Sequence, residues 1–382
     1  MPKGTYKVTG NLTLSNGSGF TGTPEARIRF DGDYLLDATS RQSIHLSNFT
    51  LERNMAANTA TQPLIKLQFT HDAVIDRLTI LNSRTSSPTI YIRGSYDSNL
   101  VVQDSYNLRI TNNTIQDYSR VAAGGIGPGS NEGIKGTGIS VLVSRNFVVA
   151  NNRIVETQRY FTPSSSVINY QGSGIAVISS SLGSVTNNTI DYAGQGIDIG
   201  GGNNNPLQGA SGYVGTSYVT VTGNTIKDIY IAAIKVVNGA SYNTISSNVV
   251  HRSGLVGIWL APGTTSAADG TVIKGNIVYA NTVIDTGSGP AKDAWAVPGS
   301  KRNTGITLEQ ADSSATRVTQ NLIIGNAVID TKGNMTYGVS DTGVFSTSTP
   351  NDAIDNYFFG NYVSGSFTSD FSISVANHNS NW

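Results

Sequence analysis

No cysteine occurs in the 382 residues, which excludes a disulfide framework and thiol chemistry but leaves the cellular compartment open. Charge is scarce and balanced. Charged residues make up 13% of the chain, 25 basic against 25 acidic, so no field of one sign draws it to nucleic acid or to an anionic membrane. No apolar run approaches the ~20 residues of a membrane span. The opening "MPKGTYKVTGNLTL" lacks the apolar stretch and cleavage site of a secretory signal. Neither nucleic acid nor membrane insertion is therefore expected. The chain also opens almost inside a strand, as though a preceding segment were missing.

What is abundant is glycine, 42 residues, together with Ser, Thr and Asn between short Val/Ile runs such as "YVTVTGNTI" and "GISVLVS". This is a strand-and-turn composition with enough apolar residues for a long core. One kernel recurs: "NNTIQD", "NNRIVE", "NNTID", "GNTIKD", "SNVVHR", "ANTVID" and "GNAVID", anchored on Asn113, Asn152, Asn188, Asn224, Asn248, Asn281 and Asn326. The anchors are 39, 36, 36, 24, 33 and 45 residues apart. A constant kernel at unequal spacing describes a fixed coil carrying loops of variable length. A second kernel follows each Asn segment, a Gly-Ile-like strand: "TGISV", "SGIAV", "QGIDI", "AAIKV", "VGIWL" and "TGITL". Strands recurring in this order, with no helical periodicity to supply crossovers, predict an all-β solenoid rather than a doubly wound sheet.

On these two kernels, and on the opening "PKGTYKVTGNLTL", the chain resembles right-handed parallel β-helices of the pectate-lyase-like superfamily from Gly4 to about Val363. In relatives, a Pro-x-Gly-x-Tyr segment follows a capping helix and an acidic "GD" motif, both absent upstream here. The resemblance implies one parallel β-helix domain over residues 1–382, with the first coils in 1–60 and an irregular end from 340. "GQGIDIGGG" fits a dinucleotide loop poorly, because plain loop sequence rather than a helix follows it. The "NNT" sequons at 112–114 and 187–189 fall where the coil wants stacked asparagines.

Alternation places Ile and Val of each Gly-Ile-x-Val strand in the core and the x residue outside. The outward column then reads Ser140, Ala176, Asp198, Lys235, Trp259 and Thr307, at roughly 4.8 Å per coil. Beside it, Gly138, Gly174, Gly196, Ala233, Gly257 and Gly305 read as a shallow trough in which a polymer can lie, with Trp259 as a stacking platform for a sugar ring. The bland alternatives are a surface ion pair between Asp198 and Lys235 and a loop-covering or interface role for Trp259.

A third column is read at the turn after each Asn segment: Asp117, Glu156, Asp191, Asp228, Arg252, Asp285 and Asp330. Carboxylates in adjacent coils would stand roughly 5 Å apart, the separation of retaining glycosidases. An acid in nearly every coil, however, argues for turn capping. His251 and Arg252 interrupt the acids, an imidazole suited to proton transfer near neutral pH and a guanidinium suited to a carboxylate. Arg252 could equally pair with Asp228 or Asp285.

The candidate catalytic residues are Asp198, Asp228, Lys235 and His251. The substrate-binding set is Trp259, Arg252, Glu309 at the end of "TGITLE", and Trp295 in the loop "GPAKDAWAVPGSKRN". No cofactor is expected. An acidic column could collect Ca²⁺, though no compact ligand cluster is visible, and zinc has neither Cys nor clustered His to hold it.

The adjacent aspartates, Gly-His-Gly and Arg-Ile-Lys motifs of polygalacturonases are absent, as is the Asp-Pro-His motif of mannuronan epimerases. What remains is similar to the β-helical tailspike depolymerases of bacteriophages. That likeness implies hydrolysis or β-elimination of a capsular or surface polysaccharide in a groove along the helix, a homotrimer, and an extracellular or virion location. A non-catalytic glycan-binding adhesin and a secreted polysaccharide lyase or epimerase are the alternatives.

Overall fold

The computed structural model describes residues 1–55, 59–96, 102–121, 134–158, 172–201, 215–261, 272–289, 303–309, 317–341, 353–365, 367–374 and 377–380. Most of its strands form three parallel sheets of twelve, visited in turn by the coils, and the rest form two small two-stranded sheets and one of three strands. Sheet 1 runs from Gly4–Val8 to Tyr362–Gly365, sheet 2 from Leu12–Thr13 to Ser369–Ser372, and sheet 3 from Gly19–Thr21 to His378–Ser380. This is the predicted parallel β-helix. By their internal contacts the residues group into two compact units, one holding Met1–Tyr160, Ser166–Ala176 and Ser180–Ala193, the other Phe161–Ser165, Val177–Ser179 and Gly194–Trp382.

Each strand is short because each coil must bend three times, and period-two alternation sends every second side chain inward. In one coil of the second unit the inward residues are Ile226, Ile234, Val236 and Ile245, all fully buried. Repetition of that quartet along the unit makes a continuous aliphatic core. Within the stretch after residue 340, expected to be irregular, the described residues include the strands Tyr357–Phe359, Tyr362–Gly365, Ser369–Ser372 and His378–Ser380.

The repeated asparagines do what their spacing predicted. Asn113 and Asn152 each donate a side-chain N–H to the Oδ1 of the next anchor, at 2.9 and 3.0 Å. In the second unit the chain Asn224, Asn248, Asn281, Asn326, Asn361 is joined by four such bonds of 2.9 Å. A second ladder, which the kernel alignment missed, links Asn243, Asn276, Asn321, Asn356 and Asn377 at 2.9–3.1 Å. Within the sequon at 112–114 the stacked residue is Asn113, while Asn112, the pattern's acceptor, is exposed.

Candidate functional site

On the outer face of sheet 2 in the second unit, the strands Gln195–Gly200, Ala232–Val237, Val256–Ala261 and Thr304–Leu308 lie in register. Asp198 is the direct partner of Lys235, Lys235 of Trp259, and Trp259 of Thr307. Ile197 and Ile199 are fully buried, so Asp198 points away from the core. The predicted column is present. Asp198 and Lys235 form no ion pair with each other, and the Asp198 Oδ1 is buried with no hydrogen-bond partner among the described residues. Lys235 instead directs its ammonium over the indole of Trp259, 6.0 Å from the ring centre. Such a cation–π contact contributes about 0.5–1 kcal/mol where solvent reaches it.

Trp259 corrects an expectation. It points outward by alternation but is only 8% exposed, and its indole N–H donates to Glu309 Oε2 at 3.1 Å. An aromatic that buried needs a partner for its polar edge, and Glu309, two residues beyond Thr307 on the same face, supplies one. Trp259 is therefore a packed element of the face rather than an open stacking platform. Trp295 lies outside the described residues.

The glycine trough is also overturned. A Cβ on Gly196 would stand 2.3 Å from the Ala233 carbonyl oxygen and 2.6 Å from Ile226 Cγ2. On Gly257 it would meet the Gly305 oxygen and Val283 Cγ1, both at 2.4 Å. Ile226 and Val283 are core residues of sheet 1. Alternation fails at this position because the chain is still turning the corner from sheet 1, which aims the residue before the Ile inward. At Gly196 and Gly257 the absence of a side chain lets successive corners close together, whereas Ala233, fully buried at the same position, fits a single methyl there.

The remaining candidates gather at the end of the sheet 1 strands. Arg252 donates through Nη2 to Asp228 Oδ2 at 2.6 Å, and their side chains are 42% and 18% exposed. A pair this open contributes little to stability, about 0–1 kcal/mol. His251 Nε2 lies 3.7 Å from Asp285 Oδ2, whose partner oxygen accepts the Thr331 N–H at 2.7 Å. Asp228, Arg252 and His251 thus form their own cluster, while Asp198, Lys235, Trp259 and Glu309 form another.

The acidic column reads as turn capping, with one shift. The position four residues after the anchor asparagine takes a left-handed backbone at Asp117, Tyr192, Asp228, Arg252 and Asp285. Asp191 precedes that bend, and Tyr192 occupies it. Asp117 accepts from the Thr157 N–H and hydroxyl at 2.9 and 2.7 Å, and Asp330 from the Lys332, Gly333 and Met335 N–H groups.

Glu156 stands apart. Fully buried beside Asp117, it accepts the Ser119 N–H at 2.5 Å. Burial pushes its carboxyl up to about 7, the hydrogen bonds from Ser119 oppose the rise, and the neighbouring Asp117 charge adds to it. The folded chain therefore holds a proton that the unfolded chain releases above its ordinary value of 4.5. Stability is greatest below that value and falls by about 3 kcal/mol as pH rises to 7 and beyond. Glu156→Gln is expected to match the parent's denaturation midpoint at pH 4.5 and exceed it at pH 8. Equal midpoints at both values would contradict the assignment.

Among the described residues, no group of three or more His, Asp or Glu stands close enough to hold a metal ion, and no helix is long and apolar enough to cross a membrane. No curated protein sequence matches the chain. Solved structures do. The A-module of mannuronan C-5 epimerase AlgE4 of Azotobacter vinelandii is 16% identical over 99% of this chain and 89% of its own, with a TM-score of 0.62. The AlgE6 A-module of the same organism is 13% identical over the same shares, at 0.56. Endo-xylogalacturonan hydrolase from Aspergillus tubingensis is 10% identical over 97% and 87%, at 0.51. At these identities the likeness is one of fold. The family model described as "Right handed beta helix region" matches residues 164–381, more than half of the sequence. With its three parallel sheets and stacked amide ladders, the chain belongs to the right-handed β-helix family.

Proposed function

We propose that the chain is a depolymerase of a bacterial capsular or surface polysaccharide, cleaving an acidic polymer by β-elimination on the outer face of sheet 2. The observation that carries this reading is the side-by-side placement of Asp198 and Lys235, neither in an ion pair among the described residues, with one carboxylate oxygen unsatisfied there. Buried polar atoms are normally paired, and the exceptions call for a reason such as catalysis. The structures it resembles are named for action on mannuronan and xylogalacturonan, which agrees with a polymeric sugar as substrate.

Hydrolysis would need two carboxylates about 5–9.5 Å apart across the scissile bond. Glu309, an acid at the end of the Thr304–Leu308 strand, is three coils beyond Asp198, about 14 Å at the usual strand spacing, and it holds the Trp259 indole. A carboxylate and an ammonium without ion-pair partners among the described residues suit elimination instead. Lys235 sits against the uronate carboxylate and makes the C5 hydrogen more acidic, and Asp198 accepts that proton. The C–H electron pair becomes the C4–C5 double bond, the C4–O bond breaks, and the leaving oxygen takes a proton from water. Arg252 and His251, held by Asp228 and Asp285, are left out of the step.

The test is incubation with capsular, lipopolysaccharide and uronate polymers while following chain length, reducing ends and ultraviolet absorbance. Shortening accompanied by absorbance of an unsaturated product is expected. Reducing ends without absorbance would mean hydrolysis, and binding without shortening would make the protein an adhesin. We further propose that no metal is required, so a chelator should leave turnover unchanged; its loss, with recovery on adding Ca²⁺, would show otherwise.

For assembly, we propose a homotrimer, outside the cell or on a virion, associating through the outer face of sheet 3 in its last coils. There Ile277, Tyr279, Tyr357 and Phe359 are 37–49% exposed, with Leu322 and Ile324 between them in register. A contiguous apolar face of this kind is unusual on a monomer. Sedimentation should give three times the chain mass, and Tyr279→Glu with Phe359→Lys should reduce it to one. A parent that sediments as a monomer contradicts the assignment.

A further inference from the structure

We infer that Tyr218 and Tyr242 form a second carbohydrate-binding surface, a non-catalytic platform for pyranose rings where the chain enters sheet 3. The two rings come from adjacent coils of the second unit and lie nearly parallel, 10° apart with centres separated by 5.6 Å. They are 59% and 39% exposed. Neither phenol hydroxyl has a hydrogen-bond partner among the described residues, so both are available to sugar hydroxyls.

The coil does not require tyrosine at these positions. Both residues adopt a left-handed backbone, φ 55° and 60°, which a bulky side chain rarely takes. At the same bend other coils use Asn107, Asn146, Leu182, Gln320 and Asp355, so the position takes several residue types and no aromatic but these two.

The next coil is fitted to the second ring. Gly275, at φ 65°, follows Tyr242 in register, and a Cβ there would stand 2.6 Å from Tyr242 Cδ1. Lys274 brings its ammonium to 5.8 Å from the centre of the same ring, within reach of an acidic substituent on a sugar. The strands that begin beside the rings present Thr220 and Thr244 as direct partners. Aromatic rings beside hydroxyls suit a saccharide, which offers C–H faces and hydroxyl edges together. The Ile, Leu and Phe of the later coils suit a protein surface instead.

This site is separate from Asp198 and Lys235 and borrows from the depolymerase reading only the class of ligand. The test is titration calorimetry with hexasaccharides of mannuronate, galacturonate, glucose and mannose. Lys235→Ala serves as the background, so that binding at sheet 2 is weakened. At least one hexasaccharide should bind this variant. Adding Tyr218→Ala and Tyr242→Ala should weaken that binding by about tenfold or more, whereas the corresponding Phe pair, which keeps the rings, should retain most of it. Thermal unfolding of each variant confirms that it is folded. Unchanged affinity in the alanine pair would show the rings to be structural and overturn the inference, as would failure of all four sugars to bind. Tyrosine-dependent binding in a protein that cleaves no polymer would preserve this inference while removing the enzymatic one.

Discussion

Replacing Asp198 with alanine is expected to abolish cleavage while making the folded protein more stable. A positioned acid or base contributes about 10²–10⁴-fold to rate, so turnover should fall by that factor. The stability change has the opposite sign because the Asp198 Oδ1 is buried without a hydrogen bond. An unsatisfied buried polar group costs about 1–3 kcal/mol. Removing the carboxylate should return part of that, so the denaturation midpoint should rise. Asp228→Ala is the contrast: it strips a partly exposed ion pair from Arg252, and a change of only about 0–1 kcal/mol in stability is expected. An Asp198→Ala protein that is both active and no more stable would show that this carboxylate is an ordinary surface group. Activity lost together with stability would make it a structural one.

Asn248→Ala is expected to be among the most damaging single substitutions in the second unit. The side chain is fully buried. Its Oδ1 accepts from both the backbone and side-chain N–H of Asn224, at 3.0 and 2.9 Å, and its Nδ2 donates to the Val221 carbonyl and to Asn281 at 3.0 and 2.9 Å. Alanine leaves two donors of Asn224 and the Val221 carbonyl orphaned, at about 1–3 kcal/mol each. A total loss of about 3–9 kcal/mol is a large share of the 5–15 kcal/mol that keeps a domain folded. Because a coil contacts mainly its neighbours, the damage should appear first as local opening. Hydrogen exchange should accelerate in the strands flanking residues 224, 248 and 281. A variant that melts with the parent and exchanges at the parent's rate would show the ladder to be ornamental.

The sequence carried the architecture because the coil is periodic in kind, if not in length. Gly-Ile-x-Val has the same four positions in every coil, so counting along it placed Asp198, Lys235 and Trp259 side by side. Counting failed where geometry changes at a corner. The glycines before the Ile residues looked outward by alternation, yet the bend turns them toward Ile226 and Val283. Asp191 was placed at a bend that Tyr192 occupies, because the acid came one residue early. The burial of Trp259 was not legible at all, since exposure depends on what folds over a face and not on which way a strand points it. The second amide ladder was legible and overlooked. "NTISSN", "NIVYAN", "NLIIGN" and "NYFFGN" each carry an asparagine five residues before a member of the first ladder, and the two series are spaced identically, at 33, 45 and 35 residues.

The passage from sheet 3 to sheet 1 has a further consequence. In every coil from the sheet 3 strand His45–Ser47 onward, only two residues separate the sheet 3 strand from the sheet 1 strand that follows, whereas the passages on either side of sheet 2 range from one or two residues to more than a dozen. The amide ladder at that short turn tolerates no insertion, so length can change only along the two borders of sheet 2. The chain is thus divided into a part whose dimensions are locked and a part free to lengthen, and the freedom falls beside Asp198 and Lys235. Segments at those borders can therefore be exchanged for others of different length without any alteration of the scaffold that keeps the chain folded.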